Sequence, residues 1–523
     1  MYHPPIKTFI ETLSNVGFDD KAYPKKKTLN LLEDIGQFCS SSLLPLYSDT
    51  QLHFNHQKHI VNMPKGYQKT YQTMCQLGYP ALEHPTAIGG HGVPKALACL
   101  IQEMMMSCHS PLFLGLSLTQ SAVIALNEYA PPEIKKVYLK KMIQGQWTGS
   151  MCLTESHCGT DLGLIRTKAI PHKDYYHISG SKIWITFGEH DLTENIIHLV
   201  LAKLPNAPPG SKGISLFLVP KLLPNGKRNA VYCQGLEHKM GTHVSPTCSM
   251  SFDHAVGWLI GEPNHGLHAM FSMMNDARLT VANQGIALAE IAFQKGFQFL
   301  KQHQRSSLAI TTSYAYHLAM RSLMVYTCLA VDQGDEDRVS LLTPILKSYF
   351  TETSCQHIQC VQKIIGLFDS DPSYQTFQYY LDARISMIYE GTNGIQANDY
   401  VLRKLPKDQF RVIHLLIDEM KTATPTLKNN SDYHSMIQHF ESTLNQIKKS
   451  IETDLEAASA CAPYFLKMSA LMLLGFMWTK ETNIGHESLK VCFFNRACKE
   501  VKMLKNIIHH KQRYLFHLQN NQF

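Results

Sequence analysis

The sequence predicts a mainly helical α+β fold: an N-terminal helical domain, a central β-barrel or sandwich, a C-terminal four-helix bundle and an extra C-terminal helical domain. Two observations predict this order. Apolar residues recur at three- and four-residue spacings before and after a middle segment, as on one face of a helix. Within the middle segment, short runs rich in Ile, Val, Tyr, Phe and Thr alternate with turn-forming residues. At about 150 residues per domain, 523 residues are enough for three or four domains.

The composition is that of a folded, non-fibrous protein. Hydrophobic residues make up 44% and charged residues 17%, which excludes intrinsic disorder and a collagen-like fibre. The formal charge of +7 is spread along the chain without a block of like charges, so we expect a solvated basic surface and no nucleic-acid arm. The 14 cysteines include no Cys-x-x-Cys pair, and the start lacks a signal-peptide pattern. We therefore expect a cytoplasmic protein.

The N-terminal part is predicted to be an extension, residues 1–30, followed by a helical domain, residues 31–147. The helical period of this domain is interrupted by the Gly-Gly-His-Gly sequence of Gly89–Gly92 and again at Pro131–Glu133. Two prolines followed by an acid favour a new helix start, because proline tolerates the first helical turn and the acid complements the helix dipole.

The β-domain is predicted over residues 148–260. Its runs are separated by proline- and glycine-containing turns, and several short strands at such spacing indicate a small barrel or sandwich. The predicted strands are Tyr175–Phe187, Asn195–Ala202, Gly213–Pro220, Val231–Gly235 and Thr247–Phe252.

The helical period returns in residues 261–405, which we predict to form the bundle. A polar stretch, Lys421–Asp432, predicts a linker at the start of the extra helical domain, residues 421–523. The most apolar run of the chain, Met468–Trp478, lies in this last domain. It is shorter than the roughly 20 apolar residues that cross a membrane, so it predicts a buried helix and no membrane span.

Common nucleotide and hydrolase motifs are absent from the sequence. It contains no Gly-x-Gly-x-x-Gly after a strand, no phosphate-binding loop ending in Gly-Lys-Ser/Thr, and no Gly-x-Ser-x-Gly elbow. These absences exclude the simple nicotinamide, NTPase and esterase classes, and we predict no metal site.

Three other stretches carry candidate chemistry. Trp147–Gly163 is rich in glycine and hydroxyl residues and presents backbone N–H groups to a polar ligand, unless it is simply a loop. In the strand Lys182–Gly188, Trp184 and Thr186 are two apart and should share a face, where an indole and a hydroxyl suit a flat heteroaromatic ring. The alternative there is a tryptophan of the core.

The third stretch is Asp382–Gln396, in which Glu390 lies between an apolar helix end and a Gly-Thr-Asn-Gly sequence. Desolvation raises the pKa of a carboxyl group, and a base that takes a proton from carbon works best with a pKa near ambient pH. Glu390 is therefore a candidate general base, although an acid at a helix terminus is the commoner explanation of such a residue.

Taken together and in this order, the three stretches resemble the acyl-CoA dehydrogenase family of flavoenzymes. The resemblance runs from about Thr28 to the C-terminus, and the length and the C-terminal helical segment are similar to the larger members of the 3-methylthiopropionyl-CoA dehydrogenase type. It implies FAD as cofactor, an acyl-CoA as substrate and α,β-desaturation as the reaction. It also implies an electron-transferring flavoprotein as electron acceptor and a homodimer or a dimer of dimers.

The resemblance assigns a role to each matching residue. Glu390 matches the catalytic base, while Thr160 and Arg278 match substrate-binding residues. Some members carry the base one residue before that arginine, where this chain has Ala277, which cannot take a proton. The residues that match cofactor contacts are Met151, Leu153, Thr154, Gly159, Trp184, Ile185, Thr186 and Thr392.

The sequence departs from the family at the turn that holds the diphosphate end of FAD. The usual Gly-Gly-x-Gly is Gly366–Asp369 here, with one of the three glycines, and a cofactor arginine of the long helix is replaced by the segment Lys301–Arg305. Two alternatives therefore stand beside an active dehydrogenase. One is a catalytically silent flavin- or CoA-binding relative. The other is a DNA-binding protein on the same fold that uses basic C-terminal clusters, although nucleic-acid binding is not the expected function.

Overall fold

The fold is given by a computed structural model that describes residues 2–21, 23–48, 51–371, 373–424 and 430–520. The chain forms two compact units. The helical unit comprises the described residues of Met1–Gly36, Pro94–Ser107 and Arg278–Phe523. The barrel unit comprises those of Gln37–Val93 and Cys108–Ala277.

The barrel unit is built on a closed ring of strands. In the ring, β6 (Asn195–Lys203) pairs with β4 (Lys168–His172) and with β7 (Ile214–Pro220). Strands β5 (Tyr175–Thr186) and β9 (Thr247–Ile260) complete the circuit between β4 and β7. Strand β3 adds to β6 in parallel, and β8 pairs with β9. The expected central β-barrel is thus confirmed. The strands are β1 His53–Asn55, β2 Ile60–Asn62, β3 Trp147–Cys152, β4 Lys168–His172, β5 Tyr175–Thr186, β6 Asn195–Lys203, β7 Ile214–Pro220, β8 Val231–Leu236 and β9 Thr247–Ile260.

The strands differ from the prediction in two places. Strands β3 and β4 were not among the predicted strands, and β9 continues to Ile260, beyond the predicted end at Phe252. The polar pair Asp253-His254 hides this continuation in the sequence, because it falls at an irregularity of the β5–β9 pairing and is exposed. Beyond that bulge β9 pairs with both β5 and β7.

The region predicted as a helical domain, residues 31–147, also contains two short strands. Strands β1 and β2 form an antiparallel hairpin between the first helices of this region. Val61 of β2 is fully buried in the same apolar cluster as Ile185 and Cys233 of the barrel. The hairpin is too short for its alternation to stand out in the sequence, and burial against the barrel stabilises it.

Outside the strands, the regular structure of the described chain is mainly α-helical. In the helical unit, α13, α14 and α15 pack against one another, and α7 packs against α8. The predicted linker Lys421–Asp432 is partly helical, because α12 ends at Ala423 and α13 begins at Asn430, while 425–429 lie outside the described residues. The helices are α1 Ile6–Val16, α2 Lys25–Phe38, α3 Tyr67–Gln76, α4 Lys95–Tyr129, α5 Pro132–Ile143, α6 Gly266–Gln302, α7 Leu308–Asp332, α8 Glu336–Ile365, α9 Thr376–Ile385, α10 Asn393–Asn398, α11 Leu405–Lys407, α12 Arg411–Ala423, α13 Asn430–Thr453, α14 Leu455–Lys480 and α15 Glu487–Asn520.

Two of the described helices, α4 and α14, are long and apolar enough to cross a membrane. Their most apolar windows are 89% and 78% buried within the protein, respectively, as expected of core helices in a folded domain. The run Met468–Trp478 lies in α14 and is buried, in agreement with its predicted place.

A buried ionic network crosses the helical unit. The guanidinium of Arg321 on α7 donates through Nε and Nη2 to Glu103 of α4, at 2.9 and 2.5 Å, and through Nη2 to Glu290 of α6 at 2.7 Å. His317 also pairs with Glu290, through Nε2 at 2.9 Å. Because Arg321 contacts both carboxylates and His317 contacts Glu290, each carboxylate has a cationic or hydrogen-bonding partner in the chain, and the cluster needs no metal ion to explain it.

Candidate active site

Glu390 lies on an irregular turn between α9 and α10 of the helical unit. Its backbone is left-handed, with φ of 55°. A residue with a long side chain rarely adopts this conformation, which costs about 1–3 kcal/mol and persists only where surrounding contacts impose it. Such outliers cluster at functional sites, so the conformation supports the choice of Glu390 from the sequence.

Three side chains hold the two carbonyl groups of this turn. Arg278 Nε donates to the main-chain oxygen of Glu390 at 3.3 Å, and Gln396 Nε2 donates to the same oxygen at 3.0 Å. Lys347 Nζ donates to the main-chain oxygen of Gly391 at 2.6 Å. These donors come from α6, α10 and α8, so packing of the helical unit fixes the turn.

The electrostatics of the turn favour a proton-accepting carboxyl group. Desolvation raises the pKa of Glu390, and the positive charges of Arg278 and Lys347 only partly oppose this effect. Among the described residues, no acceptor pairs with the main-chain N–H of Glu390. An amide N–H that is not used within the protein is available to a ligand.

The other sequence-predicted residues of this unit have distinct surroundings. Arg278 is only 8% exposed, and burial lowers its pKa, with Glu390 acting in the opposite direction. Its Nε donates to the main-chain oxygen of Glu390, a contact that the sequence did not predict. Thr392 is exposed and caps α10, where its hydroxyl accepts from the N–H of Ile395 at 3.4 Å.

In the barrel unit the structure brings the end of β3 and the end of β5 together. The N–H of Ile183 donates to the carbonyl of Thr154 at 2.9 Å, and Lys182 Nζ donates to the carbonyl of Leu153 at 2.8 Å. These bonds join the predicted cofactor segment 151–154 to the segment 184–186. The two predicted groups of cofactor residues therefore lie close together in the barrel unit.

Trp184 presents its indole from a strained position in β5. It is left-handed, with φ of 61°, at an irregularity of the β5–β9 pairing, and it is 49% exposed. The regular alternation that the sequence suggested is thus broken at Trp184 itself. Thr186 is nevertheless half-buried, whereas Ile185 between them is buried in the barrel core. An exposed tryptophan beside a hydroxyl is a surface that a flat ring could cover.

Not every predicted cofactor residue can use its side chain. Ile185 and Leu153 are buried in apolar clusters, so only their backbone groups could reach a ligand. Met151 and Thr154 are half-buried, while Gly159 and Thr160 are exposed on the loop that follows β3.

Glu155 anchors that loop and was not singled out in the sequence. Its carboxylate accepts from Lys182 Nζ at 2.9 Å, from the N–H of Arg166 at 2.7 Å, and from the N–H and hydroxyl of Thr167 at 3.0 and 2.6 Å. His157 and Cys158 lie close enough to complete a metal-ligand set with Glu155, but Lys182 already supplies the positive charge. No signal in the sequence marked this pair, because Lys182 follows the polar Ser181 in a strand of mixed composition.

The turn Gly366–Ser370 departs from the expected glycine-rich form as the sequence indicates. Leu367 is 94% exposed on it. The carboxylate of Asp369 accepts from the N–H and the hydroxyl of Thr376 at 3.2 and 2.6 Å, at the start of α9. Asp369 therefore has a structural partner within the chain.

Comparisons with known proteins identify the family of the chain. Residues 28–146, 150–255 and 264–404 match the N-terminal, middle and C-terminal domains of acyl-CoA dehydrogenases, respectively. Over 439 residues the chain is 36% identical to the 3-methylmercaptopropionyl-CoA dehydrogenase of Ruegeria pomeroyi, which covers 77% of this chain and 73% of that protein.

Solved structures share the fold at low sequence identity. An acyl-CoA dehydrogenase from Bacillus anthracis, complexed with FAD, has a TM-score of 0.75 at 17% identity over 92% of this chain and 88% of that chain. ACDH-11 of Caenorhabditis elegans, in complex with C11-CoA, has a TM-score of 0.74 at 17% identity over 96% of this chain and 91% of that chain. The matched domains and the Ruegeria relative confirm the resemblance seen in the sequence, and the chain belongs to the acyl-CoA dehydrogenase family of FAD-dependent oxidoreductases.

Proposed function

We propose that this protein is an FAD-dependent acyl-CoA dehydrogenase that introduces an α,β double bond into an acyl-CoA thioester, with Glu390 as the base. The observation that carries the proposal is the left-handed turn that presents Glu390 with a raised carboxyl pKa.

Glu390 takes the proton from the α carbon of the thioester onto a carboxylate oxygen. The electron pair of that C–H bond forms the Cα=Cβ bond, and the β hydrogen leaves with its own electron pair as a hydride. FAD, when bound, supplies the two-electron acceptor for this hydride. A carboxylate whose pKa is raised binds a proton more tightly. This favours transfer of the proton from a weakly acidic carbon to the carboxylate.

The negative charge that develops on the thioester oxygen needs a hydrogen-bond donor. The main-chain N–H of Glu390 suits this role, since no acceptor in the described part of the chain occupies it. Arg278 and Gln396 fix the carbonyl of the same residue and so hold the turn that carries this N–H. Such preorganised donors contribute about 3–4 kcal/mol each to rate acceleration in other enzymes.

The residues present fit the flavin end of FAD. The exposed indole of Trp184 and the hydroxyl of Thr186 would pack on and hydrogen-bond the ring, and the backbone of 151–154 would line it. Gly159 and Thr160 would meet polar parts of the cofactor and the CoA, respectively, and Thr392 would make a further cofactor contact. The turn Gly366–Asp369 fits the diphosphate end less well, because Leu367 adds a side chain where the family has glycine.

The family resemblance extends the proposal to partners. We infer that an electron-transferring flavoprotein takes the electrons, that the protein forms a homodimer or a dimer of dimers, and that it works in the cytoplasm. A substrate-side role for Arg278 belongs to the same proposal.

The proposal is tested by the visible absorption spectrum of the purified protein. The spectrum is recorded in the absence of oxygen, before and after the addition of each acyl-CoA of a panel. A yellow protein that one of these thioesters bleaches is the expected result. A protein that binds flavin or CoA but is never reduced would make it a silent relative. A colourless protein that retards DNA, with steep salt dependence, would make it a DNA binder.

A further inference from the structure

Lys347 is a buried lysine for which the proposed reaction has no use. It lies in the middle of α8 with 0% exposure, among buried residues that include Ile345, Leu346 and Tyr349. An ammonium group costs free energy to bury unless hydrogen bonds or charges compensate, so its place calls for an explanation.

The side-chain hydrogen bonds of Lys347 lead to the turn that carries Glu390 and to the start of α10. Its Nζ donates to the carbonyl of Gly391 at 2.6 Å and to Oδ1 of Asn393 at 3.2 Å. Asn393 is itself fixed, because its Nδ2 donates to the carbonyl of Ser348 at 3.1 Å. Within the described residues Lys347 forms no ion pair, so its charge faces the turn and not a dedicated carboxylate.

We propose that Lys347 is a positioning residue for the base: its ammonium holds the Glu390–Gly391 turn through the carbonyl of Gly391 and supplies a positive charge that acts on the carboxylate of Glu390. This inference rests on the proposed function, in which Glu390 takes the α proton. Lys347 acts through the turn, and the reacting atoms are not among its contacts.

The charges around Lys347 support this role. Burial lowers its pKa to about 7, Glu390 opposes this effect, and Arg278 adds to it. Lys347 in turn lowers the pKa of Glu390 against the desolvation that raises it. The groups that face Lys347 from α6 and from the turn are therefore Arg278 and Glu390, together with the neutral amide of Asn393.

Substitution of Lys347 should change both the midpoint of the pH profile of flavin reduction and the plateau rate of that reduction. In Lys347→Met, loss of the positive charge should move the rising limb of flavin reduction by acyl-CoA to higher pH, by about one unit. Loss of the hydrogen bond to Gly391 should lower the plateau rate by about tenfold, because the base is less well placed. Lys347→Arg should keep the wild-type midpoint, since it restores the charge.

The experiment measures single-turnover flavin reduction across pH, the dissociation constant for the acyl-CoA, and the flavin content of each variant. We expect flavin content and acyl-CoA affinity to stay at wild-type levels in Lys347→Met. Lys490→Met is the control, because Lys490, whose side chain is 13% exposed, likewise donates to a main-chain carbonyl, that of Glu481 at 2.9 Å, but its partners are Glu481 and Glu487 and not the Glu390 turn. Its pH profile should match that of the wild type.

The outcomes separate this inference from the proposed function. If Glu390→Gln abolishes reduction but Lys347→Met keeps both the wild-type midpoint and plateau, Lys347 has no positioning role. If Glu390→Gln is reduced as fast as the wild type, the base assignment fails and the inference fails with it. Should Lys347→Met not fold, Lys347→Gln keeps a donor without the charge, and an unmoved midpoint in that variant would overturn the electrostatic part.

Discussion

Lys182 and Glu155 form an ion pair at 2.9 Å inside the barrel unit, with side-chain exposures of 0% and 6%. The carboxylate of Glu155 also accepts hydrogen bonds from the main-chain N–H groups of Arg166 and Thr167. The pair therefore ties β5 to both ends of the loop that follows β3, and Gly159 and Thr160 lie on this loop. A structural ion pair thus shapes a loop to which we assign cofactor and substrate contacts.

Lys182→Met should destabilise the barrel unit. It leaves the carboxylate of Glu155 buried without its cation, a change that costs about 3–5 kcal/mol in comparable pairs. Urea unfolding should show this loss, and the purified variant should contain less flavin because the loop is no longer fixed. Lys168→Met, at an exposed lysine of β4, is the control and should unfold like the wild type. Equal midpoints for Lys182→Met and the wild type would contradict the assigned role.

Glu390→Gln should separate binding from chemistry. The amide keeps the size of the carboxyl group but cannot take a proton, so bound flavin and acyl-CoA affinity should persist while reduction by substrate is lost. Stopped-flow absorption should show a fall of at least about 100-fold in the reduction rate, the low end of the usual contribution of a general base. Glu352→Gln, at an exposed acid of α8, should be reduced at the wild-type rate.

The order of helical and β segments was predictable, because the spacing of apolar residues along the chain indicates which face of each helix or strand is buried. The extension of β9 past Phe252 was not, since the polar pair at 253–254 falls at a bulge that only pairing with β5 reveals. The left-handed conformations of Trp184 and Glu390 were also beyond the sequence. Tertiary contacts impose a positive φ on such residues, whereas local propensity disfavours it.

The motifs located Glu390 but not the residues that hold it. Lys347 follows an apolar run of α8. From helical periodicity alone, a lysine is expected to face solvent, because lysine is seldom fully buried. Its partner, the carbonyl of Gly391, is 44 residues away in the chain, so no short motif could join them. The same holds for Arg278, whose bond to the main chain of Glu390 spans 112 residues.

Trp184→Gly should remove a cofactor surface without destabilising the barrel. Glycine adopts a positive φ at little cost, so the backbone at this position should keep its conformation. The half-exposed indole contributes little to the core, and the thermal midpoint of the flavin-free protein should stay close to that of the wild type. Flavin content after purification should fall severalfold. Ile170→Ala, at an exposed apolar residue of β4, should retain its flavin. Full flavin content in Trp184→Gly would exclude the indole as a flavin contact.

The network around Arg321 predicts how the helical unit responds to acid. Burial alone would raise the pKa of Glu290, but Arg321 and then His317 lower it well below its usual range. Because the folded-state pKa lies below the unfolded value of about 4.3, the stabilisation from this carboxylate is complete above that pH. This stabilisation is lost progressively as the pH falls below about 4.3 towards the folded-state pKa of Glu290.

Glu290→Gln should therefore be less stable than the wild type at neutral pH and less sensitive to acid. Loss of the charge weakens the bonds that this group forms with Arg321 and His317, and hydrogen bonds to charged groups contribute about 1.5–3 kcal/mol each. Below about pH 4.3, urea midpoints should fall less steeply in the variant, since one strongly shifted carboxylate is gone. Asp253→Asn, at an acid whose side chain is 74% exposed, should keep the wild-type pH dependence. Parallel midpoint curves for Glu290→Gln and the wild type would show that Glu290 does not carry the acid response, because the linkage requires the two curves to converge as the wild-type carboxylate takes up its proton.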